Sequence, residues 1–277
     1  MLHALGEGDV RALHRTRVAS RRLREILPVL QLKPDLAGRL GRRLKKVRAR
    51  LGAVRELDVL AVLVDELQSS GAWDAQVLRR VAASITGERA QARERFQAKP
   101  PTRELEQIAR KLKKIGGDLR DTSPSRGWQW AVDARVSRRA GMVVRTLDAA
   151  GSMYMPERLH DVRIALKKFR YALEVAGEAA GAKPSPDIKA LKRRQDTLGR
   201  LHDLQVLIER VRGIQASLPA PDVTMWRKID LLTASLEDEC RRLHAKFVHQ
   251  RSAIRAICDR VSLAGGAAPQ VRRAMVG

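Results

Sequence analysis

An all-α fold is predicted by three features of the sequence. Leu, Ala, Arg and Glu, good helix formers, are abundant. Apolar residues return at three- and four-residue spacings nearly throughout, the period of a helix with one buried face. Runs of β-branched residues are short, and no segment reads convincingly as a strand.

Taken in order, the helices lie between marks that Pro, Gly and Ser set along the chain. The marks are Lys33-Pro34-Asp35, Ser69-Ser70-Gly71, Lys99-Pro100-Pro101-Thr102, Gly116-Gly117, Ser123-Pro124-Ser125, Gly181 to Pro186, and Leu218-Pro219-Ala220-Pro221. Asp9, Asp35 and Asp222 are the candidate N-caps, because a short carboxylate can accept from the first unsatisfied amides of a helix. The longest helix is expected from about Asp222 to Leu263, with Gly265 to Gly277 a loose, basic tail. The segment from Lys99 to Asp121 reads as solvated helix, Trp128 and Trp130 as packing between bundles, and Met225 with Trp226 as the start of a core helix.

An internal repeat organises these elements. HRTRVASRRLREIL (14–27) aligns with HDVRIALKKFRYAL (160–173), with five identities and four conservative pairs. LKKVRARLGAVRELDVL (44–60) aligns with LKRRQDTLGRLHDLQVL (191–207), sharing Leu44/Leu191, Lys45/Lys192, Leu51/Leu198, Gly52/Gly199 and Leu57/Leu204. The offsets are 160 − 14 = 146 and 191 − 44 = 147, so the register is nearly rigid across both blocks. Duplication explains this most simply, giving halves at 1–125 and 126–277 with a boundary near Ser123 to Gly127.

Composition narrows the function. With 44% hydrophobic residues in a 277-residue chain, a full core is within reach and intrinsic disorder is excluded. The formal charge of +24 favours polyanionic partners: nucleic acid, acidic lipid or polyphosphate. The N-terminus has no apolar signal region, and no run of about 18 apolar residues occurs to span a membrane. The two cysteines, Cys240 and Cys258, lie too far apart along one helix to bond directly, so a reducing cytoplasm is expected.

The repeat also concentrates the charge. On an ideal helix His14, Arg17, Arg21 and Arg24 fall within an arc of about 80°, and Leu13, Leu23, Leu27 and Leu30 occupy a separate arc centred about 115° away. His160, Arg163, Lys167 and Arg170 repeat the stripe, with Leu159, Phe169 and Leu173 toward the core. Arg22 and Lys168 broaden each surface. Like charges stacked at helical spacing repel by a few tenths of a kcal/mol per pair, so a stripe without acidic partners calls for a ligand or for solvent. The second block of each half is basic too: Lys45, Lys46, Arg48 and Arg55, then Lys192, Arg193, Arg194 and His202. Aromatic residues total 3%, and only Phe169 and Tyr171 fall in these blocks, Phe169 as core and Tyr171 beside Arg170. Binders of unpaired bases use aromatic platforms, so a ligand made only of phosphates fits better.

HxxRVAxRRLR followed by LKxxxxxLGxxRELDVL, repeated as HxxRIAxKKFRYALE followed by LKxxQDxLGxLHDL, resembles the CHAD family, the conserved histidine α-helical domain. The resemblance runs from about Asp9 to at least Leu263. It implies two four-helix bundles related by pseudo-twofold symmetry, with a basic groove or pore between them that binds inorganic polyphosphate and associates with polyphosphate granules. The implied ligand-facing set is His14, Arg17, Arg21, Arg22, Arg24, Lys45, Arg48 and Arg55, with His160, Arg163, Lys167, Lys168, Arg170 and Lys192 from the second half; His202 joins them as the partner of Arg55 in the repeat. Relatives usually carry more helix before the first motif, so either a shorter first bundle or a trimmed start is expected. Many also carry a triphosphate-tunnel catalytic domain with an ExExK signature. The nearest match here, Glu237 to Arg241, lacks the lysine and falls in a predicted helix.

The enzyme alternative is an all-α metal phosphohydrolase, prompted by His160-Asp161 and His202-Asp203. The repeat opposes it, since Asp161 corresponds to Arg15 and His202-Asp203 to Arg55-Glu56. Cys240, His244 and Cys258 share compatible helix faces but lack a fourth ligand and are too far apart for one ion, so they read as core. No cofactor and no metal are expected, and a general polyanion or nucleic-acid binder remains the non-enzymatic alternative. Protonation of His14 or His160 on phosphate binding would raise affinity below about pH 6.5.

Overall fold

The computed structural model describes residue 5 and residues 9–30, 32–120, 127–183, 185–218 and 222–266. Among them it contains eight helices and no strand: α1 Val10–Ile26, α2 Pro34–Ser69, α3 Ala75–Ala98, α4 Thr102–Arg120, α5 Gly127–Ala150, α6 Pro156–Ala179, α7 Pro186–Ala216 and α8 Val223–Gly266.

Several ends form as the sequence suggests. Asp9 accepts from the Ala12 amide at 2.6 Å, and Asp222 from the Met225 amide at 3.0 Å. Asp35 does not cap: Lys33 holds the N-cap position of α2, Pro34 supplies the fixed φ of the first helical residue, and Asp35 lies in the first turn. Asp74 caps α3 by accepting from Gln76 and Val77. The Lys228 ammonium, 2.9 Å away, and these amides hold its carboxyl below the usual carboxylate range.

Three breaks fall elsewhere than the marks suggest. α4 runs through Gly116-Gly117 to Arg120, and before the glycines it buries Ile108 and Ile115, seven residues apart on one face. This helix is therefore amphipathic and not merely solvated, with Leu105 and Leu112 also packed on the core. The break after α5 sits at Gly151 to Met155, where the marks show nothing; Gly151 takes a left-handed φ of 57° and Pro156 starts α6. α8 extends to Gly266, so the first two residues of the expected tail are helical, and 267–277 lie outside the described residues. Of the expected boundary at 123–127, residues 123–126 lie outside them as well.

The chain folds into two compact units whose membership differs from the 1–125 and 126–277 halves. One unit comprises residues 1–123 and 196–246, the other 124–195 and 247–277. α7 and α8, of 31 and 44 residues, rise about 46 and 66 Å, and each gives one stretch to each unit.

In the first unit two apolar clusters form. One joins Leu13 of α1 and Leu27 just after it to Leu44 and Leu51 of α2, Phe96 of α3 and Ile108 of α4. The other joins Leu60 of α2 to Val81 and Ile85 of α3, Leu207 of α7 and Ile229 and Leu236 of α8. Met225 is buried as expected, but Trp226 is 49% exposed, because one residue further along it is turned about 100° around α8, away from the buried face. In the second unit Val143 and Leu147 of α5, Leu166 and Phe169 of α6, Leu191 of α7 and Phe247 and Ile254 of α8 are fully buried. Arg251 fastens α8 to the end of α5 by donating to the carbonyls of Leu147 at 2.8 Å and Gly151 at 2.5 Å. Trp128 and Trp130 are 37% and 64% exposed, so packing does not cover them as expected.

Candidate functional site

α1 and α2 form an antiparallel hairpin closed by the turn at 27–30. A bond across it marks the register: Arg17 Nη1 donates to the Leu51 carbonyl at 2.9 Å. Counting outward at about 1.5 Å per residue sets Arg55 near the level of His14, Arg48 near Arg21 and Lys45 near Arg24. On the wheel of α2, Lys45, Arg48 and Arg55 lie within an arc of about 80°, beside the buried Leu44-Val47-Leu51 face. Gly52 lies in the same arc, and a Cβ there would meet Arg17 Nη1 at 3.8 Å. The cations of both helices therefore line one seam. His14 and Lys45 are exposed, and Arg17, Arg21, Arg22, Arg24, Arg48 and Arg55 are half-buried.

The stripes are not free of acid, as the sequence alone suggests. Glu25 lies about 20° from His14 on the helix wheel and is buried. In the second unit Glu174 falls in the middle of the stripe and pairs with Arg170. Arg170 also donates through Nε to Gln195 Oε1 at 2.9 Å and lies 4.6 Å over the Tyr171 ring. With 13% of its side chain exposed, this guanidinium is held in place on several sides.

His160, Arg163, Lys167 and Lys168 are half-buried on the same helix, and Lys192 is exposed on the start of α7. Partial burial holds the His160 imidazole below its ordinary 6.5; the charges of Arg163 and Lys167 act the same way, and Asp161 opposes them.

His202 stands apart from its repeat partner. The pairs Arg200–Glu66 at 2.6 Å and Arg210–Glu56 at 3.7 Å set the register of α7 on α2. That register puts His202 near Val64, about 14 Å along the axis from Arg55.

Other groups carry structure. Asp58, buried on α2, accepts from Arg89 at 2.7 Å and Arg93 at 3.0 Å, clamping α3. Glu237, Asp238 and Glu239 lie in α8 and pair with Arg212, Arg241 and Arg242. Cys240 and Cys258 are buried thiols, and burial, aided by Asp259 and opposed by Arg255, pushes Cys258 up to about 12. Among the described residues no three His, Cys, Asp or Glu side chains are grouped to hold a metal ion, and no helix is long and apolar enough to cross a membrane.

The sequence signals that point to the additional groups are small. A glycine inside a 36-residue helix costs about 1 kcal/mol relative to alanine, which marks Gly52 as a place where another group approaches. Glu174, four residues after Arg170, is the spacing of a helical ion pair.

Comparison with known proteins agrees with this architecture. The family model of the CHAD domain matches residues 3–212. The crystal structure of the CHAD domain from the plant Ricinus communis aligns with a TM-score of 0.55 over 97% of this chain and 86% of that one, at 22% identity, a likeness of fold. No curated protein matches the sequence significantly. With an all-helical fold shared with a CHAD structure and the family model spanning well over half its length, the chain belongs to the CHAD domain family.

Proposed function

We propose that this protein binds inorganic polyphosphate without turning it over, through the cationic faces of α1–α2 and of α6 with the start of α7, and that binding brings it to polyphosphate granules in the cytoplasm. The observation that carries the reading is the pairing of equivalent stripes: a histidine followed by cations at helical spacing, twice, in blocks with few aromatic side chains. Arginine suits the task because its planar fork meets two phosphate oxygens at once. Arg21, Arg22, Arg24, Arg48 and Arg55 with His14 and Lys45 supply the first face, and His160, Arg163, Lys167, Lys168 and Lys192 the second. Arg17 and Arg170, tied to Leu51 and to Glu174 and Gln195, hold the faces in shape. His202, near Val64, is a peripheral contributor.

Competition tests the reading. Polyphosphate should resist displacement by DNA of equal total charge, and replacing Arg21 and Lys167 together by glutamate should weaken binding by on the order of 1 kcal/mol or more for each phosphate released. Unchanged affinity in titration calorimetry would place the site elsewhere. Phosphate release with Mg²⁺ or Mn²⁺ would overturn the non-catalytic part. The exposed indoles of Trp128 and Trp130 favour a second reading, nucleic-acid binding, because they offer surfaces on which bases stack; equal displacement by DNA would support it.

A further inference from the structure

The two apolar clusters of the first unit meet at Ala92, which packs against both. There the seam between α2 and α3 is underfilled. Ala53 of α2 faces the turn of α3 that carries Ala92, and two methyl groups do not fill a space that leucine and isoleucine fill further along. The result is an open cavity of about 420 Å³, with Leu57 and Phe96 completing its apolar wall. This volume lies within the range of pockets that hold small molecules, about 300–1,000 Å³.

Its rim is cationic. Arg50, Arg95 and Lys99 border it against a single acid, Glu88. That acid is already paired with Arg210, so it does not offset the rim. Arg50 is paired with Glu104 at 3.0 Å, whereas Arg95 donates to the backbone and side-chain oxygens of Gln91 in its own helix at 3.3 Å each, and Lys99 is exposed at its end. None of these residues belongs to the cationic stripes.

We propose that this cavity binds a small amphipathic anion, its apolar body against Ala53, Leu57, Ala92 and Phe96 and its carboxylate or phosphate head between Arg95 and Lys99. Charge complementarity selects the head, and the apolar wall selects a body that inorganic phosphate lacks. A fatty acid and a nucleoside monophosphate both have this chemistry.

The test is displacement of the fluorescent anion 8-anilinonaphthalene-1-sulfonate from the full chain by dodecanoate, adenosine monophosphate or inorganic phosphate. Displacement by dodecanoate identifies a lipid-like acid and by the nucleotide a nucleoside phosphate, with inorganic phosphate ineffective at the same concentration. The fluorophore should bind about tenfold more weakly to Ala92→Trp, which fills the cavity, and to Arg95→Glu/Lys99→Glu, which lies on the surface and keeps the fold. Polyphosphate affinity should stay unchanged in Ala92→Trp, which separates this site from the stripes. Displacement by inorganic phosphate equal to that by the organic anions, displacement by none of the three, or full binding by the folded double variant overturns the proposal.

Discussion

His160 is the residue whose chemistry should respond most directly to a bound polyanion. Its imidazole is held below 6.5 by partial burial and by Arg163, so the unfolded chain binds the proton more readily than the folded one. Its contribution to stability is therefore complete above about pH 6.5 and is lost as pH falls from 6.5 toward the lowered folded value. Phosphates laid beside it act in the opposite direction, raising its pKa, so binding takes up a proton. Polyphosphate affinity should then rise as pH falls below 6.5, and His160→Gln should flatten that rise. Isothermal titrations between about pH 5.5 and 8 measure it; an equal slope in the variant removes His160 from the site.

At the scale of elements, α2 organises the first unit. Its Leu44-Val47-Leu51 turns face one apolar cluster and its Leu57-Leu60-Val64 turns the other, while its flank carries Lys45, Arg48 and Arg55. Asp58 secures α3 from a buried position against two arginines that are each about a third exposed. Asp58→Ala removes the acceptor from both guanidinium groups and should lower unfolding free energy by about 2 kcal/mol, with solvent moderating the loss on the arginine side. Chemical denaturation of wild type and variant gives the value; a difference under about 0.5 kcal/mol would make the clamp a surface feature.

At the scale of the whole molecule, the net charge of +24 sets how binding responds to salt. If about six to ten phosphates are neutralised together, raising salt from about 50 to 200 mM should weaken binding by on the order of a thousandfold or more, through release of condensed counterions. The double reversal at Arg21 and Lys167 should flatten the slope of log affinity against log salt by about one for each phosphate that is no longer neutralised. Fluorescence anisotropy at four salt concentrations measures both slopes. Identical slopes would mean that diffuse charge, rather than the stripes, does the binding.

Most of the helical architecture was legible in the sequence, because local terms govern it: apolar spacing defines each buried face, and Asp9 and Asp222 cap where a short acceptor precedes a periodic run. The break at Gly151 was not legible, since a lone glycine reads equally as helix interior and as a C-terminal stop until packing chooses. By itself the sequence determined the all-α class and, through its two matching motif blocks, the two rows of cations, all of which follow from residue order on a helix of known period. Tertiary structure decided what those cations touch: Arg17 on the Leu51 carbonyl, Arg170 held by Glu174 and Gln195, and His202 displaced from the level of Arg55. It also decided that α7 and α8 serve two compact units where the repeat suggests two consecutive halves. Such contacts join residues far apart in sequence, and their register depends on how whole helix faces interlock, which no local period encodes.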